Sequence, residues 1–343
     1  MSKLIILSKR EIMRDKANNK KYCFDIVFEW ENIFADLLEK KIEIRSNHEF
    51  IFDEKCRKIY NKIGIPLFRF FPLIDTHKDK GIFMFDVSTK RQDGIYNNKK
   101  YIPCLIDYFL SEEEYSLFVK AYNRNPFVLV SNKDVFEYLL KKKCPIKIYH
   151  FPLSLPDYYV NFERKFEKKY DLVLFARQNP LLLKYVDEYE RRHNEFKLVR
   201  RKYENGHYVY YLSKTGEIVS MGDTREEYWN LVKKSKIALY TTPGIDNTRT
   251  DANGWNQVTP HFLEEIAGQC HVIARYPQNA DTQWYEMSKI CQCVNEYEEF
   301  EKLMDKYREI PVNIEKYKNY LEKHVTSKRV KLLKQIMLEN GVF

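Results

Sequence analysis

The sequence predicts an α/β protein of two domains, each a mostly parallel sheet covered by helices. Three observations carry this. First, 343 residues suffice for about two domains of ordinary size, and 44% hydrophobic with 31% charged residues is the balance of a globular chain. Second, apolar runs of strand length alternate with segments of helical period, the pattern of strands joined by crossover helices. Third, the stretch from Leu153-Ser-Leu-Pro-Asp157 to Phe162-Glu-Arg-Lys-Phe-Glu-Lys-Lys169 joins a proline to a charge run just before the strongest strand of the chain, and reads as a boundary.

The elements follow in chain order. In the first half the strand candidates are Leu4–Leu7, Ile102–Ile106, Phe127–Ser131 and Ile146–Phe151, with helices around Glu29–Lys40, Glu112–Tyr122 and Asp134–Lys142. In the second half the alternation is sharper. Asp171–Ala176, Phe196–Arg200, Lys236–Tyr240, His271–Arg275 and Ile290–Val294 read as strands, with helices at 180–192, 224–234, 260–267, 281–288 and 296–308. Continuous apolar runs of this length suit strands buried on both faces of a sheet. Tyr208–Val219 reads as an inserted hairpin turning at Lys214-Thr-Gly-Glu217. Ser327–Met337 reads as an amphipathic helix with Val330, Leu333, Ile336 and Met337 on one face.

Composition excludes several classes. Only 10 Gly and 12 Pro argue against collagen-like and low-complexity chains. No apolar run approaches the roughly 20 residues of a membrane-spanning helix. The start, Met1–Arg10, lacks the apolar core and cleavage site of a secretory signal, so a cytoplasmic protein is expected. The 7 Cys include no Cys-x-x-Cys pair, which argues against a disulfide framework and a zinc site. Cys291-Gln-Cys293 would place two thiols on one side of a strand. Neither GxxxxGK[ST] nor GxGxxG occurs, which disfavours P-loop NTPases and dinucleotide dehydrogenases. The net charge of +9 is uneven: residues 1–170 carry 32 Lys and Arg against 24 Asp and Glu, and residues 171–343 carry 26 against 25. The basic half reads either as a face toward anionic lipid or nucleic acid, or as a solvated lysine-rich surface.

The most informative segment follows the strand Lys236–Tyr240. A long polar loop, Thr241 to Val258, runs into Thr259-Pro260-His-Phe-Leu-Glu264, where Thr259 reads as the N-cap and Pro260 as the first helical residue. A helix start presents backbone N–H groups and a positive dipole end, which suits phosphate. Glu264 falls about one turn inside, expected on the open side, where a carboxylate can accept both hydroxyls of a ribose. The bland alternative is a plain capped helix whose Glu offsets the dipole. Thr242, Asp246, Arg249, Asn256, Gln257, Thr259, His261 and Glu264 are the candidate ligand contacts.

Asn256-Gln-Val-Thr-Pro-His-Phe-Leu-Glu264-Glu-Ile-Ala-Gly268 resembles the donor-binding segment of GT-B-fold glycosyltransferases, within the subgroup whose helix opens Pro-Arg-Phe-x-Glu. Glu264 matches the second of that family's two Glu. Asn256 stands at the first, and His261 stands at the Arg position. Asp171–Ala176 followed by Arg177-Gln-Asn-Pro180 is similar to the family's first donor-domain strand and loop, where a basic residue meets the diphosphate. The resemblance implies two Rossmann-like domains facing across a cleft. Residues 1–160 would bind the acceptor and 161–320 the nucleotide-sugar, with 321–343 a helix returning to the first domain. It implies a UDP- or GDP-linked donor and a saccharide or lipid-linked acceptor of envelope polysaccharide synthesis, peripheral at the inner face of the membrane.

The chain has no Asp-x-Asp in a loop after a strand, so Arg177, Arg249 and the helix start are expected to meet the leaving diphosphate without metal or other cofactor. An inverting reaction needs a general base from the first domain. Glu29, Glu31 and Asp107 are the candidates, against a solvated helix face for the two Glu and a turn cap for Asp107. The alternatives are a non-catalytic nucleic-acid-binding α/β protein, which no recognition module supports, and a sugar-nucleotide epimerase of related fold.

Overall fold

The computed structural model describes residues 3–10, 25–45, 80–87 and 97–342, with isolated positions from 55 to 62. They fall into two compact units. One takes in the first strand, Ile26–Pro152 and Thr326–Phe343, and the other takes in Leu153–Val325. This division lies somewhat ahead of the boundary at 160 expected from the sequence, and the terminal helix counts with the first unit from Thr326.

The first unit holds a six-stranded sheet of β1 (Lys3–Ser8), β2 (Lys41–Ile44), β3 (Lys80–Val87), β4 (Tyr101–Ile106), β5 (Val128–Val130) and β6 (Ile148–His150). The order is β2-β1-β3-β4-β5-β6 and every pairing is parallel. The helices are α1 (Asp25–Leu38), α2 (Tyr115–Tyr122), α3 (Lys133–Lys141) and, from the chain's end, α10 (Thr326–Glu339). Phe34 of α1 stacks on Phe83 of β3 at 5.3 Å and meets Phe85 edge-on at 5.2 Å, fixing the helix to the sheet. Val330, Leu333, Ile336 and Met337 of α10 are buried, as their spacing predicts.

The second unit holds β7 (Tyr170–Val173), β8 (Leu198–Glu204), β9 (His207–Leu212), β10 (Ile218–Ser220), β11 (Ser235–Thr241) and β12 (His271–Arg275). The order is β10-β9-β8-β7-β11-β12, parallel from β8 to β12 and antiparallel across β8-β9-β10. Its helices are α4 (Pro180–Arg192), α5 (Arg225–Lys234), α6 (Pro260–Ala267), α7 (Ala280–Trp284), α8 (Tyr297–Glu309) and α9 (Ile314–Leu321). Alternate residues of β7 and of the two positions after it serve opposite faces. Leu172 and Leu174 pack with α4 and α8, while Val173 and Phe175 pack with α5. Each buried aliphatic or aromatic side chain contributes about 1.5–3 kcal/mol. The chain thus folds as two Rossmann-like α/β domains.

Several expectations change. Ile290–Val294 is not a strand: it follows a 3-10 turn and meets β12 through a single bridge, Ala274 with Cys293. Cys291 is buried and Cys293 half-buried there, so the two thiols do not line one side of a strand. The strand from Phe196 begins at Leu198, runs on to Glu204 and turns at Asn205-Gly206 into β9, a hairpin preceding the one expected at 208–219. β2, β3 and α9 carry no sequence expectation. Among the described residues no helix is long and apolar enough to cross a membrane.

Candidate functional site

In each sheet the strand order reverses beside the unit's first strand, between β1 and β3 and between β7 and β11. Ligands of open α/β sheets bind outside the carboxyl ends of the strands at such switch points. In the second unit β7 leads there to Arg177 and Asn179, and β11 leads to Thr241 and Thr242. The residues singled out by sequence around 177 and 242–264 therefore gather at one sheet edge.

Asn179 organises this edge. Its Oδ1 caps α4 by accepting from Leu181 N at 2.8 Å and Leu182 N at 3.2 Å. Its Nδ2 donates to Asp246 Oδ2 at 2.9 Å and Thr248 Oγ1 at 3.1 Å. Asp246 has a left-handed φ of 50° and pairs with Arg275 at the end of β12, whose Nη2 lies 3.0 Å from Oδ1. That bond holds the Asp246 carboxyl below its usual range, against a smaller opposing effect of burial. Arg249, expected as a cation for the diphosphate, instead grips Asp251 bidentately at 2.7 and 3.2 Å, which offsets its charge. Arg177 is exposed and makes no hydrogen bond or ion pair with the described residues, though its charge helps hold the Asp251 carboxyl down.

Thr242 is fully buried and its hydroxyl donates to Asn256 Oδ1 at 2.7 Å. Gln257 is likewise buried at the head of α6. Thr259 has the extended φ/ψ of an N-cap, but its side chain caps no helical N–H. Its own N–H donates to Tyr240 Oη at 2.8 Å. The sequence had the position right and the capping bond wrong.

Glu264 requires the main correction. It was expected on the open side of α6, yet it is 1% exposed. Its Oε1 lies 2.6 Å from Arg225 Nη2, and its Oε2 accepts from Tyr228 Oη at 2.9 Å. Burial works to raise its pKa, and the charges of Arg225 and His261 override this and hold it far below the usual range. The exposed member of the group is His261, with a side chain 39% open. His261 Nδ1 sits 3.2 Å from Glu264 Oε2 and 2.9 Å from Tyr228 Oη. A carboxylate only accepts, so Nδ1 carries the proton that faces Glu264. The sequence missed Arg225 and Tyr228, which open and follow the capping box Thr224–Glu227 of α5. The Thr-x-x-Glu signature was readable, but not the partner 39 residues on.

The first unit repeats the pattern. Glu31 of α1 is not on a solvated helix face: it is 2% exposed, accepts from Ser8 Oγ at 2.5 Å and pairs with Arg10 Nη2 at 2.8 Å. Burial raises its pKa, and Ser8 and Arg10 partly offset this. Lys9 Nζ and Asp86 Oδ1 form a buried pair at 2.7 Å at the ends of β1 and β3. Glu29 is half-buried on α1, and Asp107, with φ of 50°, is half-buried at the end of β4. Sequence reasoning missed Lys9, Arg10 and Asp86, although Ser8-Lys9-Arg10 directly after an apolar strand marks a polar carboxyl end. Among the described residues no group of three or more His, Cys, Asp and Glu is placed to hold a metal ion.

No family model and no curated protein matches the chain. Solved structures do. A putative UDP-N-acetylglucosamine 2-epimerase from Listeria monocytogenes aligns over 99% of this chain and 96% of its own, with TM-score 0.51 and 11% identity. The pneumococcal O-GlcNAc transferase GtfA, solved with UDP and GlcNAc, aligns over 82% and 55% with TM-score 0.44 and 11% identity. The glycotransferase of kitacinnamycin aligns over 81% of each chain, with TM-score 0.42 and 8% identity. The chain spans little more than half the length of GtfA, of the GtfA/B complex chain and of the Gap123 complex chain from Streptococcus agalactiae, covering 55%, 57% and 57% of them. At these identities the likeness is one of fold, two Rossmann-like domains.

Proposed function

We propose that the chain is a glycosyltransferase that moves a sugar from a UDP- or GDP-linked donor to a saccharide or glycolipid acceptor. The observation that carries this is the relay Arg225–Glu264–His261 at the head of α6, at the switch point of the second sheet. It presents an oriented imidazole beside a helix start, a pairing suited to a nucleoside diphosphate. In this reading His261 Nε2 hydrogen-bonds a ribose hydroxyl, with Glu264 and Tyr228 holding the ring. Asn256 and the N–H groups opening α6 line the path of the diphosphate, the buried Thr242 hydroxyl holds the Asn256 amide, and Arg177 supplies the cation. Asp246, Arg249 and Gln257 shape the loop rather than meet the phosphates.

The reaction breaks the anomeric C–O bond to the diphosphate, whose developing charge Arg177 and the helix N–H groups stabilise without metal. The acceptor oxygen forms the new bond, and its proton passes to a carboxylate of the first domain if the reaction inverts. Asp107 and Glu29 remain candidates for that base. Glu31 is already engaged by Ser8 and Arg10, and fits a positioning role better. A lipid-linked acceptor of envelope polysaccharide synthesis, met at the inner face of the membrane, would suit the basic first half.

A second reading, a sugar-nucleotide epimerase, is favoured by the end-to-end alignment with the putative 2-epimerase. Incubation with UDP- and GDP-sugars separates the two. Nucleoside diphosphate release that depends on an added acceptor supports transfer. Inversion at a sugar carbon without acceptor supports the epimerase, and neither outcome with any donor refutes both.

A further inference from the structure

The opposite edge of the second sheet, at the amino ends of β7, β11 and β12, holds a cavity of about 300 Å³, at the small end of the range for ligand sites. It is remote in kind from the donor edge, since parallel strands run from one to the other. Lys165, Lys168, Lys236 and His271 line it, and no carboxylate does. Phe166, Tyr307 and Ile310 supply an apolar wall. Lys165 and Ile310 are exposed, so the cavity opens to solvent.

Its charge is not balanced from within. Lys236 Nζ is 3.1 Å from Asp171, which also faces Arg308 at 3.5 Å. Lys168 Nζ donates to the Gly268 carbonyl at 2.6 Å and approaches the Cys270 thiol at 3.9 Å. Burial pushes that thiol up to about 11, so it is a neutral neighbour at pH 7. Among the described residues no carboxylate pairs with Lys168 or Lys165. Burial without a counter-charge lowers the Lys168 pKa. The wall beside it is rigid: His271 stacks on Tyr307 at 4.2 Å and its Nε2–H donates to the Ile310 carbonyl at 2.9 Å. Gln269 ties down the lysine-bearing segment by accepting from Phe166 N at 3.2 Å and donating to Arg164 O at 2.8 Å.

We propose that this cavity binds a small amphipathic anion, one carboxylate or phosphate on a compact apolar body. Lys168 and Lys165 meet the anionic group, and Phe166 and Ile310 cover the body. The site lies apart from the nucleotide edge, and its occupancy does not depend on the transferase reading.

The test is calorimetric titration of the full chain with phenyl phosphate, benzoate and inorganic phosphate. One saturable site is expected for an aromatic anion, with inorganic phosphate about tenfold weaker or worse for want of an apolar body. The stronger of phenyl phosphate and benzoate assigns the anionic group. Lys168→Gln should weaken binding about tenfold, and the exposed Lys165→Ala several-fold. Lys165→Ala carries the test if Lys168→Gln fails to fold. Saturating UDP should leave the titration unchanged. The proposal is overturned if neither aromatic anion saturates, if inorganic phosphate binds as well as they do, if the folded lysine variants bind like the parent, or if UDP competes.

Discussion

Glu264 and Glu265 are neighbours on α6 with opposite electrostatic fates. Glu264 is held ionised by Arg225 and His261 against the cost of burial, whereas burial and the adjacent Glu264 charge push Glu265 well above 4.5. The pH consequences have opposite signs. The depressed Glu264 contributes stability above the unfolded value of about 4.5, lost as pH falls below it. Glu265 stays protonated when folded and ionises when unfolded, so its contribution falls as pH rises from about 4.5 toward its raised pKa. Glu265→Gln is therefore expected to raise the urea midpoint at pH 8 and to match the parent near pH 4; an equal effect at both values would contradict the assignment. Glu264→Gln leaves Arg225, whose side chain is 14% exposed, without its carboxylate, at a cost of about 3–5 kcal/mol at pH 7. A loss of a few tenths in denaturant titration would show that the pair is not integral to α6.

At the scale of elements, α4 and the loop after β11 are joined through one side chain. Asn179→Ala should cost about 1–2 kcal/mol through the lost cap alone, and free the Asp246–Thr248 turn as well. Asn179→Asp separates the two effects. It keeps the cap acceptor but sets a carboxylate against Asp246, so stability should hold better than in Asn179→Ala while nucleotide binding falls as far. Equal binding by parent and Asn179→Asp would uncouple the turn from the site. Gly244 in the same loop meets a second limit. An added Cβ would lie on the Trp255 carbonyl and 2.7 Å from Gly254 C, both backbone, which cannot yield cheaply. These elements differ in how far they are legible. Thr259-Pro260 and Asn179-Pro180 announce helix starts, and the five-residue run His271–Arg275 is β12 end to end. β8 is obscured because Arg200, Arg201, Lys202 and Glu204 occupy it where it extends into the antiparallel meander and loses its cover. Ile290–Val294 is apolar enough for a strand, yet it meets the edge of β12 only through the bridge of Ala274 with Cys293. The side of α6 that Glu264 faces depends on Arg225 and Tyr228, brought from α5 by tertiary packing that periodicity does not encode.

Over the whole molecule, the two domains divide polar chemistry between two sheet edges, with a basic excess in the first half of the sequence. That excess should draw the chain to anionic vesicles at low salt, each well-placed Lys or Arg adding about 1 kcal/mol, and release it at high salt. Equal co-sedimentation with neutral and anionic vesicles would favour a soluble acceptor. If side-chain and backbone groups alone meet the diphosphate, as proposed, transfer should persist in EDTA; abolition by EDTA with rescue by manganese or magnesium would overturn that proposal. The central claim, a nucleotide seat at the head of α6, is tested most directly by calorimetric titration of UDP and GDP, in EDTA, into the parent chain and His261→Ala. The account predicts saturable binding of one nucleotide by the parent and about tenfold weaker binding by the folded variant. No binding of either nucleotide, or equal binding by parent and variant, would contradict it.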